Sequence, residues 1–260
     1  MRSLIFLACL LSLWFCQPVR AEVSAPVSVC VDSDPPSPED RGQTVLKTQN
    51  HINGVSVDIV RAAFARMGKT IEFNVNLPWQ RCLYEVENQH IDFALGAYYD
   101  SERAKIYNYS IHYNTLTPQI FFLATNHLVV TQLSDLKNYR GCGIYGSSYA
   151  HYELKNENLD QGSGYESLFR KILARRCDYF VEEYEAVAGF KKGQEFLDNP
   201  LVRHLPMSGV VAPSCHLITA KNSAANSMMA DLNAALDAVI KSGQAEKIWK
   251  KYMGELPFKP

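Results

Sequence analysis

The segment from residue 27 to residue 95 alternates between strand-like and helix-like patterns, and this alternation restricts the fold more than any other feature of the chain. Residues 27–31, 71–75 and 91–95 are short apolar runs typical of buried strands. Between them, Ser56 is the predicted N-cap of a helix with apolar residues at helical spacing, and Pro78-Trp79 begins a second helical pattern. Strands that alternate with helices in this way predict a parallel sheet with helices on both faces.

The second half of the chain repeats the alternation. Strand-like runs at 141–145 and 178–181 flank an amphipathic segment at 165–174, and a long helical pattern covers residues 224–253. The first of these strands enters a Gly146-Ser147-Ser148 corner that we expect to start a helix. The sequence thus predicts a second α/β unit.

Two extended stretches, 117–124 and 210–220, lie where the chain would pass between the two units. We therefore expect an α/β protein of two lobes, each a mostly parallel sheet flanked by helices, joined by two hinge strands with a ligand cleft between the lobes. The predicted division is a signal peptide at 1–21, a first lobe of 22–120 plus 216–260, and a second lobe of 121–215.

The first 21 residues indicate export. Arg2 precedes a short apolar run at 4–16, and Val19-Arg20-Ala21 provides small residues for cleavage. The run is shorter than the roughly 20 apolar residues that a membrane helix needs, so we expect a cleaved signal peptide and a soluble periplasmic protein. The formal net charge of −1 argues against nucleic acid as a partner, and we expect a monomer.

Five cysteines follow the predicted signal peptide. An exported protein can form disulfides, but an odd number leaves at least one thiol unpaired, and the sequence does not define the connectivity. No cysteine or histidine spacing is typical of a metal site, so neither a metal nor a cofactor is expected. These cysteines are Cys30, Cys82, Cys142, Cys177 and Cys215.

The corner after residue 95 is the first candidate for a binding site. Asp100 is a good helix N-cap residue, and Arg103 follows three positions later. In a helix beginning there, the guanidinium would lie at the mouth of a strand-to-helix corner. An arginine in that place can hold a carboxylate through two parallel hydrogen bonds. The alternative is a surface arginine in a capped helix.

Several motifs occur in an order and spacing that resemble a known family. They are Asp32-Ser33-Asp34-Pro35-Pro36, Gly54-Val55-Ser56-Val57-Asp58, Ser101-Glu102-Arg103, the Gly146-Ser147-Ser148 corner, Ile248-Trp249 and Tyr252-Met253-Gly254. Together they resemble the bacterial extracellular solute-binding proteins of the polar amino-acid class (family 3), the receptors that feed ABC importers. The segment Pro78-Trp79-Gln80-Arg81-Cys82-Leu83 resembles one branch of that family. The resemblance implies a type II periplasmic-binding-protein-like fold.

The resemblance also implies roles for single residues. The arginine matching Arg103 binds the ligand's α-carboxylate, and the backbone amides matching Ser147 and Ser148 bind the same carboxylate from the other lobe. The acidic residue that holds the α-ammonium falls at Glu183, with Glu182 as a near alternative. Plain helix capping by the two serines and solvated loop positions for the two glutamates are the structural alternatives.

The remaining implied pocket residues depart in part from the family pattern. Trp79 matches a position that lines the cleft. Asp34 stands where an aromatic side chain usually stacks on the ligand, and Gly96 and Tyr98 replace serine or threonine hydroxyls. We expect a side-chain pocket rebuilt with tyrosines, and Asp34 favours a cationic or strongly polar ligand group. The tyrosines are Tyr98, Tyr99 and Tyr149.

The function implied by the resemblance is a periplasmic receptor that closes around an amino acid or similar small carboxylate, with an ABC permease as its partner. Two alternatives stay open. The same fold resembles the periplasmic cyclohexadienyl dehydratases, in which a glutamate at the corner matching Glu183 acts as general acid. A stand-alone solute sensor is the other. The sequence names neither the ligand nor the importer.

Overall fold

The computed structural model describes residues 25–32, 54–190 and 192–260. The predicted signal peptide and Asp34 lie outside the described residues. Within the described part of the chain, no helix combines the length and apolar character needed to cross a membrane.

The first unit contains a sheet of six strands. Its strand order is β2-β1-β3-β11-β4, with β5 also paired to β11. The strands are β1 (Val27–Asp32), β2 (Ile71–Leu77), β3 (Phe93–Tyr98), β4 (Tyr107–Tyr109), β5 (Asn114–Thr115) and β11 (Ser214–Ala220).

The second unit contains a sheet of five strands in the order β10-β6-β9-β7-β8. These strands are β6 (Pro118–Leu123), β7 (Gly141–Ile144), β8 (Leu159–Gly162), β9 (Tyr179–Glu183) and β10 (Val202–Pro206). The helices of the two units are α1 (Val55–Arg66), α2 (Trp79–Glu87), α3 (Tyr165–Leu173), α4 (Tyr184–Gly189), α5 (Gly193–Leu197), α6 (Met229–Lys241) and α7 (Gln244–Met253).

The predicted α/β alternation is confirmed, and each sheet is mixed. Strand β1 pairs in parallel with both β2 and β3, and β7 pairs in parallel with both β8 and β9. By contrast, β6 and β11, the strands next to the crossings between the sheets, pair antiparallel with all their neighbours. Strands β1 and β2 are connected through α1, and β7 and β8 through two 3₁₀ turns, because parallel neighbours need a crossover connection rather than a tight hairpin.

The chain passes from the first sheet to the second between Thr115 and Pro118 and returns between Pro206 and Ser214. The predicted lobe boundaries, at 120/121 and 215/216, fall inside β6 and β11, a few residues from these crossings. The stretches predicted to be extended are therefore strands over most of their length. The division of the chain into two lobes stays a prediction.

Helices cover both faces of the first sheet. Helices α1, α6 and α7 bury Phe64, Leu236 and Trp249 against one face. Helix α2 covers the other face, where Trp79 and Val86 are buried. The first residue of α1 is Val55 and its N-cap is Gly54, so the predicted cap at Ser56 is wrong.

The second unit has a separate core of phenylalanines. Phe121, Phe180 and Phe196 pack with the apolar face of α3, and the rings of Phe121 and Phe180 stack with their centroids 4.8 Å apart. Each sheet thus has its own buried core, which is the condition for two units to fold as separate bodies.

Two disulfides answer the open question of connectivity. Cys30 on β1 is bonded to Cys82 on α2, and Cys142 on β7 is bonded to Cys177 just before β9. Cys215 is a free thiol, buried in the first core. Each bond lies within one unit, and the first ties the helix that begins with Trp79 to the centre of its sheet.

Replacing Cys30 and Cys82 together by alanine should lower the free energy of unfolding by about 2–4 kcal/mol, because the bond restricts the unfolded chain. Guanidinium denaturation in non-reducing buffer measures this loss. The variant Cys215→Ala is the control, since it removes a buried sulfur without removing a crosslink. An unchanged midpoint for the double variant would contradict the assigned pairing.

Candidate functional site

The turn after β3 carries the candidate anion-binding arginine. Asp100 Oδ1 accepts hydrogen bonds from the backbone N–H groups of Glu102 (3.0 Å) and Arg103 (2.9 Å). This is the capping role predicted for Asp100. The predicted helix after it is wrong, because only a 3₁₀ turn, Arg103–Lys105, fits before β4 starts at Tyr107.

The guanidinium of Arg103 joins the two units. Its Nη2 donates to the carbonyl oxygen of Gly146 in the second unit (2.7 Å), and its Nη1 donates to the carbonyl oxygen of Tyr98 (3.3 Å). Its Cζ lies 5.8 Å from the ring centroid of Trp79. Among the described residues, no carboxylate forms an ion pair with Arg103. The positive charge is met by neutral carbonyls, so the group keeps its capacity to bind an anion.

Gly146 is the point on the second unit where the contacts from the first unit converge. Its carbonyl oxygen accepts from Trp79 Nε1 (3.1 Å) as well as from Arg103. Its φ of +81° lies in the left-handed region that favours glycine, and a Cβ there would lie 3.1 Å from the Cα of Gln80. Both backbone conformation and close approach therefore require a glycine.

A second hydrogen bond between the units lies beside this contact. Ser148 Oγ donates to Asp100 Oδ2 at 2.6 Å, and Ser148 is buried. Burial would raise the pKa of Asp100, but the hydrogen bonds from Ser148 and from the backbone of Arg103, together with the Arg103 charge, lower it below its usual value. Asp100 is therefore held as a carboxylate that caps its own turn and binds the opposite unit.

The corner at residues 146–149 does not start the helix that the sequence predicts. A 3₁₀ turn of three residues, Ala150–Tyr152, follows it. The backbone N–H of Ser147 donates to Ile144 O (3.2 Å), and Asn156 Nδ2 donates to Ser147 O (2.8 Å). Because the turn is so short, any anion binding here depends on individual N–H groups rather than on a helix dipole.

A cleft of about 270 Å³ opens at this junction. Its lining combines Arg103 with the serine corner, so charged and hydrogen-bonding groups from both units meet in one cavity. The lining consists of Asp100, Arg103, residues 146–150, Leu154 and Asn156.

The two neighbouring glutamates at the end of β9 have different surroundings. Glu182 accepts hydrogen bonds from the hydroxyls of Tyr149 (2.7 Å) and Tyr165 (3.0 Å) inside the second unit. Glu183 Oε1 contacts His151 Nε2 and accepts from Tyr152 OH, both at 3.0 Å. Both glutamates are buried rather than solvated. Adjacent strand residues point to opposite faces, and Glu183 is the one on the side of His151.

His151 connects Glu183 to the first unit. Its ring meets the ring of Tyr98 edge to face, with centroids 5.8 Å apart. Burial raises the pKa of Tyr98, and the charge of Glu183 raises it further. Gly96, with φ +89°, lies two residues before Tyr98 at a register shift between β3 and β11, which is a β-bulge.

The structure thus brings most of the sequence-predicted residues to one junction. Arg103, Trp79 and Ser148 meet around Gly146, and Tyr98 and Glu183 meet around His151. Three predicted residues have other surroundings or lie outside the described part of the chain. Tyr149 is only 2% exposed and its hydroxyl binds Glu182, and Asp34 lies outside the described residues. Tyr99 is exposed and packs on Tyr109.

Sequence reasoning missed His151, Tyr152 and the carbonyl of Gly146. An isolated histidine and an isolated tyrosine belong to no recognisable sequence motif, and the role of a backbone carbonyl cannot be read from the pattern of side chains. The spacing of His151, three residues after Ser148, was the one available signal.

Comparison with known proteins gives a family and a set of related folds. A family model described as bacterial extracellular solute-binding proteins, family 3, matches residues 36–255. The search of curated proteins finds no match. The chain is similar in fold to solved structures whose sequence identity is below 25%, so these structures bear on the fold alone.

Three of these structures illustrate the likeness. The arginine-, lysine-, histidine-binding protein of Geobacillus stearothermophilus is 19% identical with a TM-score of 0.69, covering 90% of this chain and 97% of that one. An amino acid ABC transporter substrate-binding protein of Streptococcus pneumoniae bound to L-arginine is 17% identical, with a TM-score of 0.66 and coverage of 87% and 94%. A histidine kinase sensor domain is 18% identical, with a TM-score of 0.71 and coverage of 90% and 98%.

Replacing Gly146 by alanine should cost about 1–2 kcal/mol of stability from backbone strain alone and should also push the two units apart at Gln80. This displacement adds to the strain, so guanidinium denaturation should show a larger loss of unfolding free energy than in a variant that has the strain alone. Gly68→Ala is the matched control, because Gly68 also has a positive φ (+67°) but a Cβ there meets nothing within 4 Å. Equal losses of stability in the two variants would contradict the role of Gly146.

Replacing Ser148 by alanine should raise the pKa of Asp100 toward 3.8, because the variant removes a hydrogen bond to the carboxylate. An NMR titration of the side-chain carboxyl carbon measures this pKa. Since the folded pKa is lowered, the stabilisation from Asp100 is complete above pH 3.8 and is lost as the pH falls through the lowered value. Ser147→Ala should leave the titration unchanged, and an unchanged pKa in Ser148→Ala would contradict the contact.

Proposed function

The chain belongs to the bacterial extracellular solute-binding proteins of family 3, and from this premise we propose that it captures an amino acid or similar small carboxylate between its two units for delivery to an ABC importer. The observation that carries the proposal is the position of Arg103. Its guanidinium lies where the two units meet and has neutral carbonyls as hydrogen-bond partners.

The chemistry of that position favours a carboxylate. A carboxylate of the ligand would take the place of the Gly146 carbonyl as hydrogen-bond partner of Arg103, replacing a neutral acceptor by a charged one through two parallel hydrogen bonds. Trp79 lies over the guanidinium and keeps water away from it, which strengthens the interaction. We propose that the backbone amides of Ser147 and Ser148 bind the same carboxylate from the second unit, the amide of Ser147 in place of its hydrogen bond to Ile144 O.

A ligand held from both sides would favour the closed arrangement of the units. Binding can shift a conformational equilibrium only through contacts that one state makes and the other lacks, and contacts divided between two units satisfy this condition. The two crossings between the sheets are the proposed hinges. We propose a first lobe built on the first sheet and a second lobe built on the second, and we propose Tyr98, Gly96, Glu183, Tyr149 and Asp34 as residues of the remaining pocket.

The family description supports an extracellular location. We propose that residues 1–21 direct export to the periplasm and are removed there, and that the mature chain works as a monomer with an ABC permease. We propose binding rather than dehydratase chemistry, since the family to which the chain belongs is described as solute-binding proteins.

A thermal-shift screen of amino acids and small organic acids is the first test. A ligand that binds only the folded protein at a hundred times its dissociation constant stabilises it by about 2.7 kcal/mol, which moves the melting temperature measurably. No shift with any compound of the panel would count against the proposal.

Replacing Arg103 by alanine should then weaken binding of the ligand found in the screen by about 2–5 kcal/mol, because the carboxylate would be left buried without its partner. Isothermal titration calorimetry measures the loss. Arg103→Lys should recover only part of it, since lysine offers no planar pair of donors. Arg81→Ala is the matched control, as Arg81 is an exposed arginine on α2 paired with Glu85, and unchanged affinity in Arg103→Ala would refute the proposal.

A further inference from the structure

The carboxylate of Glu183 is held by side chains of the protein itself. Oε1 contacts His151 Nε2 and accepts from Tyr152 OH, both at 3.0 Å, and the side chain of Glu183 is 0% exposed. Oε2 is buried and has no hydrogen-bond partner in the described part of the chain. Both donors come from the same 3₁₀ turn, Ala150–Tyr152, directly after the serine corner.

His151 is also the group that faces the first unit from this position. Its ring packs at 4.1 Å between centroids on Tyr152 and meets Tyr98 of β3 edge to face. The side chain of His151 is 13% exposed, whereas that of Glu183 is fully covered. The carbonyl oxygen of Tyr98 accepts from Arg103 Nη1, so Tyr98 connects the Arg103 position to His151, and His151 in turn covers Glu183.

The position of His151 restricts which ligand groups can lie next to the carboxylate of Glu183. A buried carboxylate costs free energy unless donors or a cation lie against it. At Glu183 Oε1 those positions are filled by His151 Nε2 and Tyr152 OH. An ammonium group of a ligand would have to displace His151 to reach that oxygen, and the lost contact would cost free energy.

We propose that His151 occupies the cation position opposite Glu183, so that the preferred ligand is a small carboxylate without an ammonium group beside its carboxylate, such as a 2-hydroxy acid. This inference rests on the proposed function, because Arg103 is taken as the partner of the ligand's carboxylate. Within that function, His151 selects the class of carboxylate.

Matched pairs of ligands test the selection directly. Each pair has the same side chain and differs only at the 2-position: alanine and lactate, aspartate and malate, phenylalanine and 3-phenyllactate, glutamate and 2-hydroxyglutarate. In calorimetry with the full mature protein, the hydroxy acid of the best-binding pair should bind at least ten-fold tighter than the amino acid. Tighter binding of the amino acid overturns the inference and leaves the proposed function standing. Absence of binding by both members of every pair, and by the wider panel, overturns both.

Variants of His151 give the second test. His151→Ala frees Glu183 to accept a ligand ammonium, so the ratio of the two dissociation constants should move at least ten-fold toward the amino acid. His151→Asn, whose shorter side chain withdraws from Glu183, should move the ratio in the same direction and covers the case in which the alanine variant does not fold. If His151 had a purely structural role, both affinities would fall together and the ratio would stay constant, which overturns the inference. His90→Ala, which breaks an exposed histidine–glutamate pair with Glu85, should leave the ratio unchanged.

Discussion

The carbonyl oxygen of Gly146 is the acceptor around which the two units are arranged. It receives the Arg103 guanidinium and the Trp79 indole from the first unit, and its residue has a backbone conformation and a clearance that only glycine satisfies. The hydrogen bond from Ser148 to Asp100 lies next to it and keeps the carboxylate of Asp100 ionised. Helix α2, the turn after β3 and the corner after β7 meet at these contacts. A change of a few tenths of an ångström at Gly146 would therefore be transmitted to the arginine, the indole and the serine corner together.

Three buried carboxylates in the sequence Glu182-Glu183-Tyr184-Glu185 give the second unit its polar interior. Glu182 is held by two tyrosine hydroxyls of its own unit, Glu183 by the turn that follows the serine corner, and Glu185 by the backbone N–H and hydroxyl of Thr117, each at 2.8 Å. Thr117 lies at the first crossing between the sheets. These three glutamates thus form hydrogen bonds in the core, at the turn after the serine corner and at the first crossing. Each buried carboxylate is stabilised by specific hydrogen-bond donors.

The sequence predicts the periodic parts of this structure well, because strand and helix periods are local properties of the chain. The strands β1, β2, β3 and β7 and the long C-terminal helices follow directly from the pattern of apolar residues, and Asp100 caps its turn as its type suggests. The helices expected after Asp100 and after Ser148 are 3₁₀ turns, because a capping residue fixes where a turn starts and not how far it extends. The pairing of Cys30 with Cys82 and the contact of His151 with Glu183 join residues 52 and 32 positions apart. Such contacts depend on the tertiary fold, which a local pattern does not specify.

The placement of the two disulfides has a mechanical consequence. One crosslink braces β1 against α2, the other braces β7 against the start of β9, and neither spans the junction between the sheets. Each disulfide therefore restricts motion inside one unit, and neither restricts the short backbone segments that run between the two sheets. Reduction of these bonds would therefore weaken the interior of each unit and leave the hydrogen bonds between the units in place.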